Sequence, residues 1–177
     1  MRVAAAALLV WRLAAAQEPI RPTTIVVLPR EIRDSMSATW SASNRNWDWV
    51  PEANTPSVMA MASRPTRAYF GCLTGYAAGD TLRVTQLMPA ADVRRRQFSV
   101  TGDCSQVADV IGTWHTHPYR PGFEGRVIKE RALSGLDFRT FAAGGYVVTI
   151  VVWDTDSLDL ALKTPAGVRH PAPHVVR

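Results

Sequence analysis

Apolar positions along the chain recur at two periods. "TLRVTQLMP" (Thr81–Pro89) alternates, setting Leu82, Val84 and Gln86 on one face, as a half-buried strand requires. "REIRDSMSATW" instead spaces Ile32, Met36 and Trp40 four residues apart, on one face of a helix, and Pro29 suits that helix's first turn. "TTIVVL" (Thr23–Leu28), "AYFGCLTG" (Ala68–Gly75) and Val110–His117 read as further strands. A turn over Ala77–Asp80 joins the second of these to Thr81–Pro89 as a hairpin. "SGLDFRTFAAGG" (Ser134–Gly145) predicts a helix closed by a glycine pair. "YVVTIVVWD" (Tyr146–Asp154) is nearly all apolar, as a strand buried on both faces is, and "LDLALK" (Leu158–Lys163) alternates again. Between Ser41 and Pro65 both periods fail, predicting a loop or insertion with a short helix at "VMAMAS". The sum is a mixed α/β domain, a sheet with helices against it.

The chain has 177 residues, 47% of them apolar, enough for one domain with its own core. The expected bounds are 17–163, with an apolar segment over 1–16 and a loose proline-rich tail over 164–177. "MRVAAAALLVWRLAAA" has a basic start, an apolar run and an Ala-x-Ala end, the grammar of a cleaved secretory signal; Arg12 interrupts it. The run is too short to span a membrane. Such a signal points to a secreted or periplasmic protein; without it the location is cytoplasmic. Cys72 and Cys104 can bridge in an oxidising compartment or pack as small core residues in a reducing one. The net charge of +5 comes mostly from scattered arginines, and only Arg94-Arg95-Arg96 cluster. No aromatic-interleaved basic stripe accompanies them, so no nucleic-acid partner is expected.

The chemistry concentrates in "TWHTHPYRPGFEGRVIKERALSGLD" (Thr113–Asp137). Residues i and i+2 of a strand share a face, so His115 and His117 project together, and two imidazoles can share one ion. Ser134 and Asp137, at i and i+3 of the next helix, also share a face. Two histidines, one aspartate and an open position form the catalytic type of Zn2+ site. The bland reading is equally concrete: a serine with an acid three residues on also makes a helix N-cap.

"HTHP" followed by "SGLD" resembles the JAMM (MPN+/JAB) metalloprotease motif, His-x-His-Pro then Ser-x-x-Asp. "FGCLTG" resembles that family's glycine-flanked strand, and "TIVVLPREIRDSM" its first strand and helix; the likeness runs from Thr23 to Lys163. It implies a curved mixed β-sheet packed between helices, MPN/JAB-like. It implies zinc on His115, His117 and Asp137, with Ser134 steadying an oxyanion. It also implies hydrolysis of peptide or isopeptide bonds in a protein or peptide substrate, ubiquitin-like ones included.

The chain departs from that pattern twice. Fifteen residues separate Pro118 from Ser134, an insertion at the mouth of the site, read either as a substrate-binding loop or as a tolerated surface loop. Ala68 also stands where the family has its general-base glutamate, a group worth about 10²- to 10⁴-fold in rate. The substitutes to weigh are Glu31, Glu52, Glu124 and Glu130. Without one, the alternative is a catalytically silent metal-binding or protein-interaction module. The remaining candidates are weaker. His170 and His174 are separated by prolines, Cys104 as a nucleophile lacks a motif, and Trp40, Trp47 and Trp49 read as packing residues.

Overall fold

A computed structural model of the chain describes residues 25–44, 67–96, 99–121, 127–170 and 174–175. The 1–16 segment, most of the 41–65 insertion with Trp47, Trp49 and Glu52, and Glu124 lie outside them. In chain order the elements are β1 (Ile25–Leu28), α1 (Arg30–Asn44), β2 (Phe70–Ala78), β3 (Thr81–Pro89), β4 (Ala91–Arg96) and β5 (Ser99–Asp103). Then follow β6 (Val110–Thr116), β7 (Arg120–Pro121), β8 (Val127–Ile128), α2 (Gly135–Ala143), β9 (Val148–Asp154), β10 (Ser157–Thr164), β11 (Gly167–Arg169) and β12 (His174–Val175).

Eight strands form one mixed sheet in the order β11-β10-β9-β6-β2-β3-β1-β12, and β4-β5 and β7-β8 are separate two-stranded ribbons. The sheet cannot be flat. Seven gaps of about 4.8 Å would set the edges of a flat eight-stranded sheet about 34 Å apart. β11 and β12 occupy those opposite edges, yet only five residue steps, at most about 18 Å of chain, lead from Arg169 to His174. The sheet therefore curls, and it does so as a half-barrel. A local source of curvature lies in β2, whose register slips against β3 at Thr74/Gly75 and against β6 at Leu73/Thr74. Gly75 permits the slip, because a Cβ there would stand 2.1 Å from the Arg83 carbonyl oxygen.

One helix lies on each face of the sheet's middle. The periodic face of α1 delivers Met36 and Trp40 into a core with Leu73, Trp114, Ile150 and Leu160, and Ile32 packs at its margin. Burying Met36 and Trp40 contributes about 1.5–3 kcal/mol each. On the opposite face α2 sets Phe141 against Leu133, Val151 and Ala161. β9 feeds both cores, as its unbroken apolar run predicts: Ile150 faces α1 and Val151 faces α2.

The expectation of an α/β fold, a curved mixed sheet packed between helices in the MPN/JAB manner, is corrected by this architecture: a single helix on each face does not form a helical layer, and the sheet is a curled half-barrel. Among the described residues there are two helices against twelve strands, and the fold is mostly β. The pattern undercounted strands because the missed ones have little to bury. β4 carries Asp92, Arg94 and Arg95, all exposed, and β11 is exposed throughout. Strands without a buried face show no apolar alternation. Within the stretch from Thr164, β11 pairs with β10 and β12 with β1, as the two edge strands of the sheet. Gln86, expected beside Leu82 and Val84, is exposed.

Cys72 in β2 is bonded to Cys104, just past β5, across a sequence separation of 32 residues. The bridge fastens the β4-β5 ribbon to the main sheet, helped by Arg95, whose Nε donates to the Ala68 carbonyl at 3.0 Å. In the chain-entropy account a loop of 32 residues contributes about 3–4 kcal/mol. Cys72→Ala/Cys104→Ala is expected to lose about that much in denaturant unfolding, with the same loss on reducing the native protein.

Candidate metal centre

β6 ends in the middle of the sheet, between β2 and β9, with His115 opposite Phe70 on one side and Val151 on the other. His117 lies one residue beyond the strand, and its backbone N–H still donates to the Val152 carbonyl at 2.8 Å. Both rings therefore leave a rigid, central backbone on one face. Their Nε2 atoms stand 3.1 Å apart.

α1 steadies this turn from behind. Trp40 Nε1 donates to the His117 carbonyl at 3.1 Å, and Tyr119 N donates to Asn44 Oδ1 at 2.8 Å. Asn44 is itself buried, and its Nδ2 donates back to the Trp40 carbonyl at 2.9 Å. The helix thus ends on a side chain that fastens the histidine turn, a role that Asn44 shows no sign of in sequence.

The third donor arrives with α2. Ser134 is the N-cap, its Oγ accepting from Asp137 N at 3.2 Å, and the Asp137 Oδ2 accepts from Ser134 N at 2.7 Å. That reciprocal capping box fixes the carboxylate on the first turn. The same carboxylate faces both rings: Oδ1 is 3.4 Å from His115 Nε2, and Oδ2 is 3.4 Å from His117 Nε2. The cap reading of Ser-x-x-Asp is what these hydrogen bonds show, and the capped carboxylate also faces the two histidines.

The three side chains offer donor atoms that lie within 4.8 Å of one another. Zinc bonds of about 2.0–2.1 Å at tetrahedral angles imply donor separations of about 3.3 Å. The two Nε2 atoms, 3.1 Å apart, are close to that edge length, and each lies 3.4 Å from an Asp137 oxygen, His115 from Oδ1 and His117 from Oδ2. Two imidazole nitrogens and a carboxylate oxygen are a donor set that fits zinc, as it fits other divalent transition metals. Burial pushes the Asp137 carboxyl up, but the neighbouring His115 and His117 rings and the bond with Ser134 more than reverse this. The carboxyl is held well below its ordinary range, so it is anionic at neutral pH.

A cavity of about 250 Å³ opens on the three donors. β5 forms one wall through Ser99–Gly102, and α2 forms another through Leu136, Thr140 and Phe141. Ala68, the position that the resemblance sets against a general-base glutamate, lines it too and offers no proton acceptor. Among the substitutes, Glu31 is exposed on the first turn of α1. Glu130 does line the cavity, but its carboxylate approaches His117 from the Nδ1 edge, 4.0 Å away, rather than from the Nε2 edge that faces Asp137.

The other sequence candidates fall elsewhere. His170 pairs with Asp159 at 2.5 Å and lies against Phe138, away from the three donors. Cys104 is consumed by the disulfide, and Trp40 packs in the core. Arg94 and Arg95 are exposed on β4. No helix among the described residues is long and apolar enough to cross a membrane.

No protein-family model matches the chain, and no curated protein does. Among solved structures, the chain is similar to a protein from Desulfitobacterium hafniense determined in solution. The two are 16% identical over 86% of this chain and 94% of that one, with a TM-score of 0.51, a likeness of fold alone. A solution structure from Salinibacter ruber is 17% identical over 86% of this chain and 92% of that one, with a TM-score of 0.40.

Proposed function

We propose that the protein is a zinc-dependent hydrolase of peptide or isopeptide bonds, of the JAMM type that its His-x-His-Pro and Ser-x-x-Asp motifs resemble. The carrying observation is the convergence of His115, His117 and Asp137, whose donor atoms lie within 4.8 Å of one another, with the two Nε2 atoms 3.1 Å apart and the carboxylate facing both. A zinc ion held by three protein ligands supplies an acidified water and a Lewis acid for a carbonyl. The chain's own residues supply the rest. Asp137 contributes the negative charge that balances the cation. Ser134, while accepting from Asp137 N, keeps its own O–H proton as a donor for a developing oxyanion. The β5 and α2 walls exclude water and leave room for a substrate segment. Substrates of this reading are proteins or peptides. The Cys72–Cys104 bridge and the signal-like N-terminus favour an oxidising location, where ubiquitin-like substrates are scarce.

One observation favours a second reading, a metal-binding interaction module without turnover. Ala68 lines the cavity, and neither Glu31 nor Glu130 stands in for the absent carboxylate.

The purified protein is expected to carry about one equivalent of zinc, lost in Asp137→Ala and His117→Ala; metal analysis finding undiminished zinc in those variants rejects the ligand set. On a panel of peptide and isopeptide substrates, the hydrolase reading expects chelator-sensitive turnover by the native protein. Turnover absent from the zinc-loaded native protein but gained in Ala68→Glu, by about 10²-fold or more, selects the silent module.

Ser134 has two separable roles. Ser134→Gly keeps most of the cap, since glycine costs only a few tenths of a kcal/mol there. It is expected to leave the melting midpoint nearly unchanged while lowering kcat; Ser134→Ala is expected to lose stability by about 0.5–2 kcal/mol as well.

A further inference from the structure

We propose that Glu130, braced by Arg120, belongs to the metal centre as a positioning residue: its main-chain carbonyl and its carboxylate hold the His117 ring in the tautomer whose Nε2 is free to bind a metal. This rests on the metal-binding reading above and extends it to residues behind the three donors.

A neutral imidazole carries one proton on two nitrogens, and the bond made by one nitrogen decides the state of the other. His117 Nδ1 lies 3.3 Å from the Glu130 carbonyl oxygen. A carbonyl only accepts, so Nδ1 holds the proton and Nε2 presents a lone pair toward His115 and Asp137. The Glu130 carboxylate lies 4.0 Å from the same Nδ1, so its charge favours an N–H there and a more electron-rich ring.

The segment is not a free surface loop where it is described; three tethers set Glu130. Its carboxylate pairs with the guanidinium of Arg120, the first residue of the β7-β8 ribbon, whose ladder joins Arg120 to Ile128. Both side chains are largely buried and line the metal cavity. Next to it, Lys129 Nζ donates to Asp154 Oδ2 at 3.1 Å and sits 4.6 Å over the Tyr119 ring. Beyond it, Ala132 takes a φ of 74°, a left-handed conformation that costs an alanine about 1–2 kcal/mol. That turn is held by buried Leu133, whose N–H donates to Asp159 Oδ2 at 2.8 Å. The chain accepts the strained turn and carries Glu130 past Nδ1 before entering the Ser134 cap. One segment therefore links the second histidine to the helix that bears the aspartate.

The test uses the full chain, zinc ions and a chromophoric chelator as competitor. Glu130→Ala and Arg120→Ala are each expected to weaken zinc binding by about 10- to 100-fold, the range for losing a partner of a metal-bound histidine. Glu130→Gln, which keeps the size and removes the charge, is expected to lose less and decides the matter if the alanine variants do not fold. Arg120→Glu/Glu130→Arg is expected to recover part of the loss of Arg120→Ala by restoring the brace. Long-range ¹H–¹⁵N spectra of the metal-free protein are expected to show the His117 proton on Nδ1 in the native chain and a larger share on Nε2 in Glu130→Ala, which keeps the backbone carbonyl but removes the nearby charge and the Arg120 pair that holds that carbonyl in place. Native zinc affinity with an unchanged His117 tautomer in the Glu130 and Arg120 variants overturns the inference alone. A native chain that binds no zinc overturns the metal reading beneath it.

Discussion

A carboxylate that is largely withdrawn from water is costly unless its charge is met, and the Asp137 side chain, 22% exposed, is met from two sides. Ser134 N–H and the two Nε2 atoms all approach it within 3.4 Å. Ser134 belongs to the same helix start, but the histidines come from the end of β6, so the contact constrains how the domain is assembled. β6 must lie mid-sheet to aim the rings, and α2 must begin directly over the end of that strand. A negative charge in the first turn of α2 also complements the helix dipole, so the helix start and the site favour the same residue.

The half-barrel supplies the depth that this contact needs. A flat sheet would leave the end of β6 open to solvent on the α2 face. Here the β4-β5 ribbon is drawn over that end by the Cys72–Cys104 bridge and by the Arg95 bond to the Ala68 carbonyl, and β5 becomes a wall of the cavity. On the other face, α1 buries Trp40 and uses its indole N–H to hold the His117 carbonyl. A single tryptophan thus connects core packing to the orientation of a donor.

What was legible in the sequence was whatever short-range periodicity encodes. The spacing of Ile32, Met36 and Trp40 marked the buried face of α1, and the run from Val148 to Val152 marked a strand buried on both faces. The i, i+2 relation of the histidines and the i, i+3 relation of Ser134 and Asp137 put each pair on one face, as the geometry bears out. Register and curvature were not legible, because both are long-range. Nothing local in "ADVRRR" distinguishes a ribbon strand from a charged loop, since its exposed residues bury no face. Nothing local in Asn44 or Glu130 reveals that one fastens the histidine turn and the other accepts from His117. The error of class followed from the same cause. Counting only periodic segments omits strands that pair without burying, and so overweights the helices.

The Ser-x-x-Asp motif shows why a bland and a chemical reading of the same residues need not compete. A carboxylate on a free rotor would spread its two oxygens over several rotamers, and ordering it at a metal would cost conformational entropy at that moment. The capping box removes that freedom beforehand: with Oδ2 fixed 2.7 Å from Ser134 N, Oδ1 has one direction left, toward His115 at 3.4 Å. The cap is therefore how the carboxylate acquires its aim. A helix start of this kind converts backbone N–H groups that would otherwise need water into supports for a carboxylate that faces two histidines, so the stability of the helix and the aim of the carboxylate draw on the same two hydrogen bonds.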